Sequence, residues 1–304
     1  FTFFLKLLKK CKKRYKKTTF LCPVVIDIKR ILLYNNIEKF YFGRKGMNKK
    51  WEFYNSDNEK IKEISEKFEI SELLAAVLVN RNIIEDEDVK LFLNPTRKDF
   101  HDPYLMPDMK EAVDRIVKAI ENKEKTIIYG DYDVDGITSI TVLTRFLKER
   151  GLDVSSYIPN RLDEGYGLNK EAIKSIADQG YKLIITVDCG ISGTEEVAYA
   201  YELGMEVIVT DHHEPLDVLP EAVAVIDCKR KDSKYPFNSL AGVGVAFKLA
   251  QAIGIRLNLE EKEYLKFLDV VCIGTISDIV PLVDENRVIA KLGLKLVEQT
   301  KSPG

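Results

Sequence analysis

The sequence predicts an α/β fold: a doubly wound parallel sheet of about five strands with helices on both faces, preceded by a small helical segment. Three observations predict it. Between Thr126 and Asp227, apolar runs of strand length alternate with stretches of helical spacing, the pattern of repeated βαβ units. Leu183-Ile184-Ile185-Thr186-Val187 is apolar throughout rather than alternating, as a strand covered on both faces is. Acids or His close the first, third and fourth of these runs, at the sheet edge where open α/β folds bind ligands.

The chain begins differently. Residues 1–46 carry thirteen Lys/Arg against two acids, so the remainder stands near −13 within a formal net charge of −2. An apolar stretch precedes the basic run, the wrong order for a signal peptide. With Phe rather than Met at the start, residues 1–46 read as a disordered extension or as sequence carried through from upstream of Met47. A basic nucleic-acid arm is the alternative. No apolar run approaches the ~18 residues of a membrane span. The five cysteines include no CxxC pair, which argues against a disulfide framework or a zinc site and fits a reducing cytoplasm.

Residues 47–100 predict a small helical segment. Ile61, Ile64 and Phe68, then Leu73, Leu74, Val77 and Leu78, mark two amphipathic helices, with Ser71 capping the second. A third runs from Glu85 to Leu93 and stops at Asn94-Pro95. The segment is too small to bury much alone, so it is expected to pack on the main domain. That domain, residues 101–304, opens with a linker at His101-Asp102-Pro103, where His101 reads as structural, and a helix from Met109 to Ile120.

Strands follow at Thr126–Tyr129, Val154–Ile158, Leu183–Asp188, Glu206–Asp211 and Val223–Asp227, with helices after the first three. Leu240-Ala241-Gly242-Val243-Gly244-Val245-Ala246-Phe247 lacks the third Gly of a dinucleotide loop. It reads as a Gly-rich turn opening a helix through Ala252. The N-terminus at Gly242 and Gly244 either takes a phosphate or packs closely on a neighbour. Tyr264 to Ser277, apolar nearly all round, predicts one core helix ending at Asp278. A lone acid among apolar residues is odd unless paired or metal-bound.

The chemistry concentrates in Tyr129-Gly130-Asp131-Tyr132-Asp133-Val134-Asp135-Gly136. Carboxylates at every second position in a strand-to-helix turn repel and raise one another's pKa. A hard divalent cation such as Mg²⁺ or Mn²⁺ removes that conflict; a solvated turn capping the helix is the blander reading. His212-His213 can likewise be a ligand pair or a polar turn. Arg161, at a strand end, suits a phosphate clamp and Tyr166 a base-stacking surface, or both are structural. Arg145 reads as solvated, Cys189 as a small packed residue, and Asp227 as a turn or supporting residue. Asp211 is a candidate for orienting a ligand His from behind.

Together, Asp131–Ser139, Thr186-Val187-Asp188-Cys189-Gly190, Thr210-Asp211-His212-His213-Glu214 and Gly274-Thr275-Ile276-Ser277-Asp278 resemble, in order and spacing, the four motifs of the DHH phosphoesterase superfamily. Asn80-Arg81-Asn82, Phe92-Leu93-Asn94-Pro95, Tyr157-Ile158-Pro159-Asn160-Arg161 and Glu164-Gly165-Tyr166-Gly167-Leu168 are similar to its single-strand-specific DNA exonucleases rather than to its pyrophosphatases or oligoribonucleases. The likeness covers about residues 50–300; Cys228 departs from it, standing where Pro is usual.

That resemblance implies residue roles. Asp131, Asp133 and Asp188 would hold one Mn²⁺ or Mg²⁺ ion, and Asp135, His212 and Asp278 a second, with Asp188 bridging. His213 would contact the scissile phosphate. Two such ions, about 3.5–4 Å apart, activate a water and stabilise phosphoryl charge. The implied activity is 5′ to 3′ exonucleolytic hydrolysis of single-stranded DNA in recombination and repair. The implied setting is a cytoplasmic monomer, with a single-strand-binding protein or a helicase as partner. A small-phosphoester hydrolase and a non-catalytic strand-binding module are the alternatives. The DHHA1-like and oligonucleotide-binding domains expected to follow are not in this sequence, which predicts weak strand binding and distributive cleavage.

Overall fold

The computed structural model describes residues 57–160, 165, 167–300 and 302. The basic extension expected over residues 1–46 lies outside them. The chain divides into two compact units, one ending at Ile84 and one beginning at Glu85. In the first, α1 (Asn58–Lys67) and α2 (Glu72–Asn80) are each started by a side-chain cap. Asp57 accepts from the Lys60 amide at 3.0 Å, and Ser71, the expected cap, from Leu74 at 3.3 Å. Each bond satisfies a backbone donor that the helix leaves open. Ile64, Ala75 and Leu78 form the buried seam between them.

The division at residue 85 splits the expected 47–100 segment. Its third helix, α3 (Asp86–Leu93), belongs to the larger unit. The segment's own apolar residues are too few to hold three helices together. A partner from the end of the chain secures α3. The Arg287 guanidinium donates to the Phe92 carbonyl at 3.1 Å and lies 4.0 Å from the Phe92 ring centre.

In the larger unit, α4 (Met109–Asn122) leads into β1 (Thr126–Gly130), α5 (Val134–Lys148), β2 (Val154–Tyr157) and α6 (Lys170–Asp178). Next come β3 (Leu183–Val187), α7 (Thr194–Glu202), β4 (Glu206–Thr210) and β5 (Ala224–Ile226). The chain continues through α8 (Gly242–Arg256), α9 (Lys262–Leu265), α10 (Leu268–Ser277) and α11 (Asp284–Val297). The five strands pair in the order β2-β1-β3-β4-β5, all parallel, as expected.

Register explains how an all-apolar strand serves two faces. Ile128, Ile185 and Ile208 are in line across β1, β3 and β4, and so are Ile127, Ile184 and Val207. Successive side chains point to opposite faces. The first row packs with α4, α5, α8 and α10 around Phe146, Leu143 and Phe247; the second packs with α6 and α7 around Ile173 and Val197. Burying each such large side chain contributes about 1.5–3 kcal/mol. The chain leaves β1 for β2 on one side and returns to β3 on the other. The order therefore reverses between β1 and β3, and a crevice opens beyond their carboxyl ends.

One expected element is corrected. The single core helix over Tyr264–Ser277 is two, α9 and α10, broken at Lys266-Phe267. Nor is the second buried all round: Ile273 and Ile276 are 47% and 41% exposed. Apolar composition alone cannot tell a covered face from an uncovered one. No helix among the described residues is long and apolar enough to cross a membrane.

Candidate metal centre

Each acid of the first motif has a separate environment. Asp131 follows β1 directly and is buried. Asp133 is exposed and caps α5, accepting from the Gly136 amide at 2.9 Å. Asp135, in the first turn of α5, is buried and accepts from the amides of Gly242 (2.7 Å) and Val243 (2.9 Å). The first turn of α8 thus receives a carboxylate of its own chain, stabilised by the dipole and the open N–H groups. An internal anion thus uses the Gly242 and Val243 amides, and of the two readings of Gly242 and Gly244 this favours close packing over a phosphate site. A Cβ on Gly242 would lie 2.6 Å from Asp188 Oδ1, and one on Gly244 would lie 3.2 Å from the Leu240 side chain. Both glycines serve close packing.

Asp188 ends β3 in the left-handed region, at φ +58°. Asp tolerates this better than most residues, and here it turns a buried carboxylate into the crevice. Past β4, the Asp211 carboxylate accepts from the Ile191 amide (3.0 Å), the His212 amide (2.8 Å), the His213 amide (3.2 Å) and His213 Nδ1 (2.7 Å). Of the two imidazoles, it orients that of His213. His212 is set from elsewhere: its Nδ1 lies 3.1 Å from the Leu240 carbonyl. A carbonyl only accepts, so the network assigns the proton to Nδ1. The Nε2 lone pair then faces Asp188 Oδ1 at 3.1 Å and Asp135 Oδ2 at 3.8 Å.

Asp278 caps the end of α10, and its Oδ2 lies 3.8 Å from His212 Nδ1. Helix α10 approaches α5 closely at Gly274, where a Cβ would meet Thr138 Oγ1 at 2.2 Å and Asp135 Oδ1 at 3.1 Å. That approach carries Asp278 into the cluster one turn later.

Three overlapping ligand groups result: Asp131, Asp133 and Asp188; Asp135, His212 and Asp278; and Asp188, His212 and His213. Within each group, one ligand atom per residue lies within 4.8 Å of the others. The electrostatics are costly for the chain alone. Burial, then the charge of Asp188, pushes Asp135 up to about 7. Burial, then Asp133, pushes Asp188 up to about 8. Burial also raises Asp278, with His212 opposing. Asp188 Oδ1 is buried and accepts no hydrogen bond; its neighbour at 3.1 Å is the His212 lone pair. Buried acceptors facing one another fit a cation between them. Carboxylates with one imidazole suit Mn²⁺ or Mg²⁺. The His212 Nδ1–H held by a carbonyl is the support that ligand histidines use.

His213 is half-buried, and its bond to Asp211 raises it to about 9, against burial. Burial would raise Asp211, but the bond to His213 and the amides outweigh it and hold Asp211 low. Arg161 and Tyr166 lie outside the described residues. Arg145 is exposed and bonds Ser302 at 3.1 Å. Asp227 accepts from the Lys229 amide at 2.7 Å, a turn role. The Cys189 thiol is held well above its ordinary value by burial, so it is inert.

Sequence reading missed Lys229. It lies just past β5, its Nζ 3.5 Å from Glu214 Oε1, and its charge works against the raised values of His213 and Asp278. The adjacency of β4 and β5 brings it there. Nothing local to Cys228-Lys229-Arg230 signals it.

The model of the DHH family, N-terminal domain, matches residues 125–275. The chain is 48% identical over 255 residues to the single-stranded-DNA-specific exonuclease RecJ of Bacillus subtilis (strain 168), covering 84% of this chain and 32% of that protein. Its identity to RecJ of Escherichia coli (strain K12) is 37% over 203 residues, covering 64% and 35%. Among solved structures, RecJ in complex with Mn²⁺ from Thermus thermophilus aligns with a TM-score of 0.66 at 30% identity, covering 80% of this chain and 34% of that one. An exonuclease RecJ bound to manganese aligns at 0.58 and 37% identity, covering 62% and 48%. The chain spans about a third of the length of the curated relatives it matches. The strand order, the acids at its strand ends and these likenesses agree: the chain belongs to the DHH family.

Proposed function

We propose that this chain is the catalytic part of a metal-dependent exonuclease that hydrolyses single-stranded DNA. The observation that carries the reading is the set of overlapping ligand groups, seven residues from four chain segments around one crevice. Asp131, Asp133 and Asp188 would hold one Mn²⁺ or Mg²⁺ ion and Asp135, His212 and Asp278 another, with Asp188 between them. When bound, such ions supply an activated water and neutralise charge on the phosphoryl oxygens.

The chain's own residues do the rest. The Gly242 and Val243 amides fix both oxygens of Asp135. The Leu240 carbonyl keeps the His212 proton on Nδ1, so Nε2 stays a lone-pair donor. Asp211 holds the ring of His213 through Nδ1 and, in the chain alone, raises its pKa to about 9. Nε2 is then the nitrogen that donates a hydrogen bond to a phosphoryl oxygen as charge develops there. Lys229 adds a positive charge on the same rim, suited to the strand's phosphates. Arg161 is proposed as a phosphate clamp and Tyr166 as a stacking surface.

The 5′ to 3′ direction, the place in recombination and repair, the partner proteins, the monomeric state and the cytoplasmic location all rest on the family likeness. The test is hydrolysis of end-labelled single-stranded DNA with Mn²⁺, run beside dinucleotides and pyrophosphate. Asp133→Ala and Asp188→Ala should abolish it while leaving far-UV CD unchanged, because neither carboxylate belongs to the sheet core. More than about a tenth of the native rate in either variant would contradict the two-ion reading. Preference for the small substrates would make the chain a small-phosphoester hydrolase instead.

A further inference from the structure

We propose that Asn286 is a positioning residue for one half of the centre, the group formed by Asp135, His212 and Asp278. The inference rests on the two-ion reading above. Asn286 lies in the first turn of α11 and is fully buried. An amide nitrogen has two hydrogens to give, and Asn286 uses both. Nδ2 donates to the Ser239 carbonyl at 2.6 Å and to the Pro281 carbonyl at 3.0 Å.

What those carbonyls belong to gives the bonds their meaning. Ser239 starts the segment that enters α8. The next carbonyl, of Leu240, holds His212 Nδ1, and the amides of Gly242 and Val243 hold Asp135. Pro281 lies three residues after Asp278, beyond Ile279 with its φ of +61°. One side chain thus ties the segment that orients His212 and Asp135 to the segment that follows Asp278.

The anchor itself is firm. Beside Asn286, the buried Glu285 accepts from Lys248 Nζ on α8 (2.9 Å), from the His101 amide (3.0 Å) and from the Tyr235 hydroxyl. The start of α11 is therefore fixed to α8 independently of Asn286. Asp131 and Asp133, in contrast, lie at the end of β1 and the start of α5, and Asp188 at the end of β3; both Asn286 donors go elsewhere. The effect of losing Asn286 should be selective.

The experiment is calorimetric titration of Mn²⁺ into the full chain after removal of metal with a chelator, with thermal melts alongside. Asn286→Asp sets a carboxylate against two carbonyls. Asn286→Ser is the milder change and supplies the same comparison if the first variant does not fold. Phe146→Leu, in the core on α5, controls for general destabilisation. The native chain should bind two ions. Asn286→Asp and Asn286→Ser should weaken one of the two by about 10- to 100-fold, the usual cost of losing a group that supports ligands. The other ion, and both ions in Phe146→Leu, should bind as in the native chain.

Equal weakening of both ions, native-like binding of both, or the same selective loss in Phe146→Leu would overturn the assignment. A native chain that does not bind two ions would overturn the two-ion reading and this inference with it.

Discussion

At the scale of single residues, the centre depends on which atom of each His carries a proton. His212 gives Nδ1–H to a backbone carbonyl, and His213 gives its own to Asp211. Adjacent residues thereby acquire different tasks. Asp211→Asn should lower the hydrolytic rate by roughly 10²-fold, the usual cost of a misplaced oxyanion donor. Mn²⁺ binding should stay native, because Asp211 lies outside the two ion groups; a parallel loss of Mn²⁺ affinity would count against the separation of roles. Lys229→Ala tests the residue that sequence reading missed. Binding to single-stranded DNA should weaken, and the slope of log K against log salt should shrink by about 0.7, the share of one phosphate contact. An unchanged slope would remove Lys229 from the strand's path. The acids and both histidines were legible because polar residues closing buried strands have few other uses. Gly242 was left between two readings for a related reason. A helix N-terminus signals an anion without saying whose, and this one is Asp135, over a hundred residues away.

At the scale of elements, the turn after α10 holds a conflict. Ile279 is 88% exposed and sits at φ +61°. A β-branched residue there costs about 1–2 kcal/mol in backbone strain and gains little by burial. Ile279→Gly should therefore raise the melting temperature by about 2–4 °C, read by scanning calorimetry. A fall would mean that Ile279 makes a stabilising contact. The other end of this region responds to pH. His101 Nε2 bonds Asp284 at the start of α11, and that bond, opposed by burial, raises the His101 pKa above 6.5. A raised folded value means stability that is full below pH 6.5 and lost as pH climbs through the folded value. The melting-temperature difference between native chain and His101→Asn should accordingly be largest at acidic pH and shrink as pH rises above 6.5. Strand and helix positions were readable from period and length. The break between α9 and α10 was not, because both pieces are apolar and only their neighbours decide which faces are covered.

At the scale of the whole molecule, sheet order is what turns scattered acids into a site. The crossover from β2 to β3 places Asp131 and Asp188 at neighbouring strand ends, and β4 beside them supplies the histidines. Helices α5, α8 and α10 close over the same end, two through glycines that permit contact. A sequence announces the strands, but the meeting of α8 with Asp135 is a property of the packed fold. The central claim is that this packing builds a pair of cation sites sharing Asp188. The most direct measurement is the anomalous difference map of a crystal of this chain soaked in Mn²⁺. Two peaks should appear about 3.5–4 Å apart, one among Asp131, Asp133 and Asp188 and one among Asp135, His212 and Asp278. An empty crevice at saturating Mn²⁺, or peaks that leave Asp188 outside both, would contradict the claim.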